Sequence, residues 1–114
     1  MMTIEKLNEF GADTKEGLMR CCGNEGLYLR LVKMIPAEKN FDALKKAIEA
    51  NDLKAGFEAA HALKGVLGNL SLTPMYERAV TVTEQLRTGA DADYAQEVAE
   101  LLALRDRLGE LCAE

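Results

Sequence analysis

A chain of 114 residues has room for one domain with a real core, and not for two. It is 48% hydrophobic but only 5% aromatic, with no Trp and two Pro, which fits a helical bundle packed on aliphatic side chains and excludes an ordinary sheet protein. A formal charge of −5 argues against a nucleic-acid face, and against an anionic membrane surface as the main partner.

No apolar run approaches the roughly 20 residues needed to span a bilayer. The opening MMTIEKLNEF lacks the charged-then-apolar layout of a signal peptide. Both observations point to the cytoplasm. Three cysteines make an odd count, and Cys21 and Cys22 are neighbours with poor geometry for a mutual disulfide. With no CxxC pair, the expected state is three reduced, mostly buried thiols and no metal site.

The spacing predicts a short helix over 3–10, capped by Thr3, stopped near Gly11, with Ile4, Leu7 and Phe10 on one face. Asp13 or Thr14 caps a second short segment, Gly23 stops it and Asn24 opens the next helix. There Leu27, Leu31, Met34 and Ile35 form the apolar stripe, and Pro36 forces a break near Ile35. A helix over about 38–50 follows, with Phe41, Leu44, Ala47 and Ile48 inward. Asp52 caps the central helix, LKAGFEAAHALKGVLGNL, over 53–70.

Beyond it, Thr73 as cap and Pro74 at the first helical position start a helix over about 74–87 that buries Met75, Ala79, Val82 and Leu86. Thr88-Gly89 ends it. Asp91 or Asp93 starts the last helix, with Tyr94, Val98, Leu101, Leu102, Leu108 and Leu111 inward. Tyr28, Tyr76 and Tyr94 are expected at the rim of the core. Four long amphipathic helices on short connections imply an all-α, antiparallel up-and-down four-helix bundle, with one or two short N-terminal helices over one end. The whole of 1–114 is expected to be one domain. Its Met start and complete caps favour a separate small protein.

The central helix is the unusual one. Advancing 100° per residue with Leu63 at the middle of the buried stripe gathers Gly56, Ala59, Ala60, Val66, Leu67 and Leu70 beside it. Lys54, Phe57, Glu58, His61, Lys64, Gly65 and Gly68 fall on the opposite side. A solvated helix face normally carries Glu, Lys or Ala there, since each glycine costs about 1 kcal/mol against alanine. Gly65 and Gly68 flank the chain's only histidine at i+4 and i+7, and Lys64 stands at i+3. An exposed nucleophile, a neighbouring cation and ground cleared of bulk suit a residue that accepts an anionic group from another protein. Each residue also has a plainer explanation. Lys64 alone is an ordinary solvated charge, Gly68 equally suits a close helix crossing, and Phe57 equally suits packing under the N-terminal segment.

Ala60, His61, Leu63, Lys64, Gly65 and Asn69, with Asp52 ahead of them, resemble the signature of histidine-containing phosphotransfer (HPt) domains, helical bundles that carry a phosphoryl group between receiver domains in phosphorelays. The resemblance implies that His61 is the phosphoacceptor, Lys64 neutralises phosphoryl oxygens, Gly65 lets a receiver close over the imidazole, and Asn69 supports the local geometry. Many such domains have glycine where this chain has Ser71.

Phosphoryl transfer depends mainly on positioning and charge neutralisation, and Nε2, projecting furthest from the helix, is the expected attacking atom. With no carboxylate cluster for Mg²⁺ and no glycine-rich phosphate loop, the chain is expected to be a carrier and not an enzyme. It should need no cofactor of its own, the receiver bringing Mg²⁺. The expected partners are response-regulator receiver domains, including those of hybrid histidine kinases, met by a monomer. They would dock on Lys54, Phe57, Lys64, Gly65 and Gly68 over about 1,200 Å² or less. The competing reading is a helical adaptor that binds a receiver or kinase without carrying phosphate. A catalytic metal site ranks far below both, since one His without a matching carboxylate pair cannot build it.

Overall fold

A computed structural model of the chain describes residues 1–89 and 91–114, and every regular element in them is helical. In order these are α1 (Ile4–Phe10), α2 (Thr14–Arg20), α3 (Glu25–Met34), a 3-10 turn (Ile35–Ala37), α4 (Lys39–Glu49), α5 (Leu53–Asn69), α6 (Thr73–Thr88) and α7 (Tyr94–Ala113). The side-chain caps are local chemistry and fall largely where the sequence puts them. Amide N–H groups of Lys6, Glu16, Leu27, Ala55 and Gln96 donate to Thr3, Asp13, Asn24, Asp52 and Asp93 at 2.9–3.2 Å. Each satisfies a donor that the helix itself leaves orphaned, which is worth about 1 kcal/mol. Gly11 and Gly89 end α1 and α6 in the left-handed region, and Pro36 converts the end of α3 into the 3-10 turn.

Thr73 is the exception among the caps. It is already the first residue of α6, Leu72 occupies the cap position, and no side chain caps the helix. The Thr73 hydroxyl instead donates back to the Ser71 carbonyl at 3.4 Å.

Four helices pack in a closed ring: α4 on α5, α5 on α6, α6 on α7, and α7 back on α4. Their shared interior holds Phe41, Leu44, Ala60, Leu63, Leu67, Val82, Leu101 and Leu108, all buried. The N-terminal helices close over this core and join the same apolar cluster through Met2, Leu7, Phe10, Tyr28 and Val32.

The phase of α3 differs from the expected stripe. Tyr28 and Val32 turn inward, while Met34 is 63% exposed and Leu27 and Leu31 are half-buried. Gly26, Arg30 and Lys33 lie together opposite Tyr28, whereas the expected stripe runs through Leu27 and Met34 at one edge of a wide apolar arc; the middle of that arc is what is buried, and a long-range bond holds it there. The buried Tyr28 hydroxyl donates to the Leu70 carbonyl at 2.9 Å, and the Asp13 amide donates to the Ser71 carbonyl at 2.9 Å. Together they latch α2 and α3 onto the turn between α5 and α6. Gly17 makes room for the latch, because a Cβ there would stand 2.5 Å from three atoms of the Tyr28 ring end. Burial, with smaller contributions from Cys21 and Asp13, pushes the Tyr28 hydroxyl up to about 12.

Tyr28 is therefore core and not rim, and Tyr76 departs the other way, at 38% exposed. Tyr94 is half-buried and donates its hydroxyl to the Gln85 carbonyl at 2.9 Å. The three cysteines are free, but only Cys21 is buried; Cys112 is half-buried and Cys22 is exposed at a left-handed φ of 57°.

Candidate functional site

The outward face of α5 is anchored by what its inner face buries. Gly56, Ala59, Ala60, Leu63 and Leu67 are buried in the bundle, which fixes the rotation of the helix and turns His61 outward. Val66, expected inside, is only half-buried. His61 is exposed, and among the described residues its side chain makes no hydrogen bond or ion pair. Its one ring contact is Phe57, one turn earlier, with centroids 5.7 Å apart and planes at 42°. That half-buried phenyl also packs against the core cluster, so both readings of Phe57 meet in one side chain: it is rooted inside and its ring flanks the imidazole.

Gly65 is exposed, and a Cβ built on it would meet nothing within 4 Å. Open space therefore adjoins His61 on the next turn. Gly68 is different. A Cβ there would come within 3.0 and 3.2 Å of the Tyr76 ring, so this glycine admits the ring of α6 rather than clearing ground. Of the two readings of Gly68, the close crossing is the one with contacts behind it.

Lys64 is half-buried, on the side of α5 that leans toward α6. Among the described residues it forms no ion pair. Its charge reaches Glu84, whose carboxyl lies below its ordinary range chiefly because Arg87 hydrogen-bonds to it and pairs with it, with Lys64 adding in the same direction. Lys54, two turns before His61, is exposed at the far end of the face. Asn69 is exposed, and its side chain bonds to nothing among the described residues, so local support has no hydrogen bond behind it.

The structure adds residues that the sequence did not place at the site. A cleft of about 560 Å³ opens beside Lys64 and Gly65, between the lower half of α5, the start of α6 and α2. Glu16 and Arg20 of α2, Glu77 of α6 and Ser71 of the connecting turn line it. Ser71 takes a φ of 54°, in the left-handed region that glycine enters freely and serine rarely adopts. Ser71 is 7% exposed, and its Oγ is buried with no hydrogen-bond partner.

Among the described residues no group of three or more His, Cys, Asp or Glu side chains could hold a metal ion, and no helix is long and apolar enough to cross a membrane.

An exposed imidazole with free ring nitrogens stands on a bundle helix, with a cation one turn on and open ground beside it. Residues 36–114 match the family model of the Hpt domain, and the chain belongs to that family. Hpt domains are phosphocarrier domains, not ATP-dependent kinases; they carry out histidine phosphotransfer in phosphorelays and interact with response-regulator receiver domains. No curated protein and no solved structure matches the chain. The match begins at Pro36, so α1, α2 and α3 lie outside it.

Proposed function

We propose that this chain is a phosphorelay intermediate that takes a phosphoryl group from the aspartyl phosphate of one receiver domain onto His61 and passes it to another. The observation that carries this reading is His61 itself, exposed and unbonded beside the open surface at Gly65 in a chain of the Hpt family. A neutral imidazole attacks phosphorus in line through Nε2. The nitrogen lone pair forms the N–P bond, the P–O bond to the receiver's aspartate breaks, and its electron pair leaves on that carboxylate while Nδ1 keeps its proton. The transition state is loose, so orientation by the bundle and charge neutralisation by Lys64 carry the catalysis. The receiver brings the Mg²⁺, and this chain needs no cofactor of its own.

The receiver docks on Lys54, Phe57, Gly65 and the ground toward Gly68 and Asn69. Connections of a few residues at 50–52 and 70–72 support an antiparallel up-and-down arrangement of α4 to α7. The whole chain acts as one unit, as a monomer in the cytoplasm.

Incubation with phosphorylated receivers from the same cell tests the reading. Acid-labile, base-stable label should appear on the wild-type chain and be lost in His61→Gln. An adaptor that carries no phosphate would keep partner-dependent signalling in His61→Gln, and that outcome would replace the carrier reading.

A further inference from the structure

The cleft beside Lys64 is built in part from chain that precedes the family match. Its α2 wall is tied to the α5–α6 turn by the Asp13 amide, which donates to the Ser71 carbonyl, and by Tyr28 of the following helix, which donates to the Leu70 carbonyl, both at 2.9 Å. Arg20 is committed to that wall, with Nε and Nη2 both donating to Glu16 Oε1 at 3.1 and 2.9 Å. Glu77 faces it from α6, exposed and without an ion-pair partner among the described residues. Ser71 lines the cleft with a buried hydroxyl that bonds nothing in the chain. Buried polar atoms are rarely left unpaired, so an orphan hydroxyl in a cleft marks a place for a partner's polar group.

The charges say what kind of group. Asp13, Glu16 and Glu77 contribute three carboxylates to the lining, against Lys64 and Arg20. With Arg20 held by Glu16, the unspent charge away from Lys64 is negative.

We propose that this cleft is a specificity-determining pocket for the receiver, taking a loop that presents a basic side chain toward Glu77 and a backbone or side-chain polar group toward Ser71. The idea rests on the carrier reading, and on the cleft adjoining the acceptor: Lys64 and Gly65, one turn beyond His61, are part of its lining. A receiver seated over His61 reaches the cleft from the same side. The start of α6 and the turn before it, backed by the α2 wall, then select the partner, while α5 carries the phosphate.

The test compares wild type with Glu77→Lys as acceptors from the receiver that phosphorylates the wild-type chain best. Glu77 lies on an exposed helix turn, and circular dichroism with a melting curve checks that the fold is kept. Charge reversal in the cleft should raise KM for transfer about tenfold, with little change in the rate at saturating receiver, and the difference should shrink as salt is raised. Replacing the complementary basic residue of the receiver by Glu should restore much of the loss. An unchanged KM, or a change insensitive to salt and not rescued, overturns the pocket. Labelling of wild-type His61 by phosphoramidate, a small donor that needs no docking, separates the two possible failures. Label from phosphoramidate but from no receiver sinks the carrier reading. Label from a receiver with equal KM in both proteins sinks the pocket alone.

Discussion

Gly65 and Gly68 stand one turn apart on the same face of α5, and the structure gives them opposite surroundings. Above Gly65 there is open space; against Gly68 lies the Tyr76 ring, close enough that a Cβ would press on it. The two glycines carry the same cost in helix propensity. At 65 that cost leaves a flat approach to His61. At 68 it lets an exposed tyrosine of α6 fold down onto α5, where it forms part of the cleft wall. The face is thus two regions: bare ground around the imidazole, and a built, partly polar hollow below it.

The sharpest way to break this comparison is to fill the bare ground. Gly65→Gln adds a long side chain where nothing stands, and glutamine is a better helix former than glycine. The fold should be kept and the melting temperature raised slightly, while phosphoryl transfer from the receiver should fall by about 100-fold, because displacing the reacting centres by even about an ångström costs that much. Single-turnover transfer with a phosphorylated receiver measures it. Near-normal transfer would mean that the space above Gly65 is not where the receiver lies.

The second way is to loosen what holds the hollow. Tyr28→Phe removes the hydroxyl that latches α3 to the Leu70 carbonyl and should cost about 1 kcal/mol at neutral pH. The alkaline limb is more diagnostic. Burial holds the folded hydroxyl up at about 12 against an ordinary 10.0, so its ionisation is easier in the unfolded chain. A group with a raised folded pKa keeps its full contribution below the unfolded value and loses it as pH rises toward the folded one. Wild type should therefore lose about 2 kcal/mol between pH 10 and 12 from this residue. Tyr28→Phe should show a flatter limb, with a remainder from Tyr94, whose hydroxyl burial also raises. Urea unfolding at stepped pH reads the difference, and parallel limbs would show that the hydroxyl is not buried.

What could be read from the sequence follows the range of the interaction that decides it. The caps at Thr3, Asp13, Asn24, Asp52 and Asp93 act over three residues, so a linear pattern finds them. The outward rotation of His61 was legible because α5 has a clean inner stripe from Gly56 to Leu67. The rotation of α3 was missed although Gly26, Arg30 and Lys33 share one side, because the expected stripe runs through Leu27 and Met34 at one edge of a wide apolar arc; the bond from Tyr28 to Leu70, spanning 42 residues, holds the middle of that arc inward. The cleft was not legible either. Glu16, Arg20 and Glu77 come together only when α2 packs beside the α5–α6 turn, and no spacing in the chain announces that. Ser71 was the one local hint: a serine where glycine would be at ease, now seen at φ 54°. Gly68 could not be assigned from its own helix, since the ring that explains it is eight residues on and across a turn.

The smallest effect discriminates the two glycines directly. Gly65→Ala should stabilise the chain by about 1 kcal/mol, the ordinary gain of alanine over glycine in an exposed helix interior. Gly68→Ala should gain clearly less, because its methyl lands 3.0 Å from Tyr76 Cε1 and the ring has to give way. Removing the ring should return the missing part, so Gly68→Ala in a Tyr76→Ala background should gain about as much as Gly65→Ala. Urea midpoints at constant m-value measure wild type and the four variants, and the expected coupling between positions 68 and 76 is about 0.5 kcal/mol. Equal gains at 65 and 68 with Tyr76 present would show that the ring does not rest on Gly68. The wall of the hollow would then be mobile, and the division of this face into bare ground and built cleft would lose its basis.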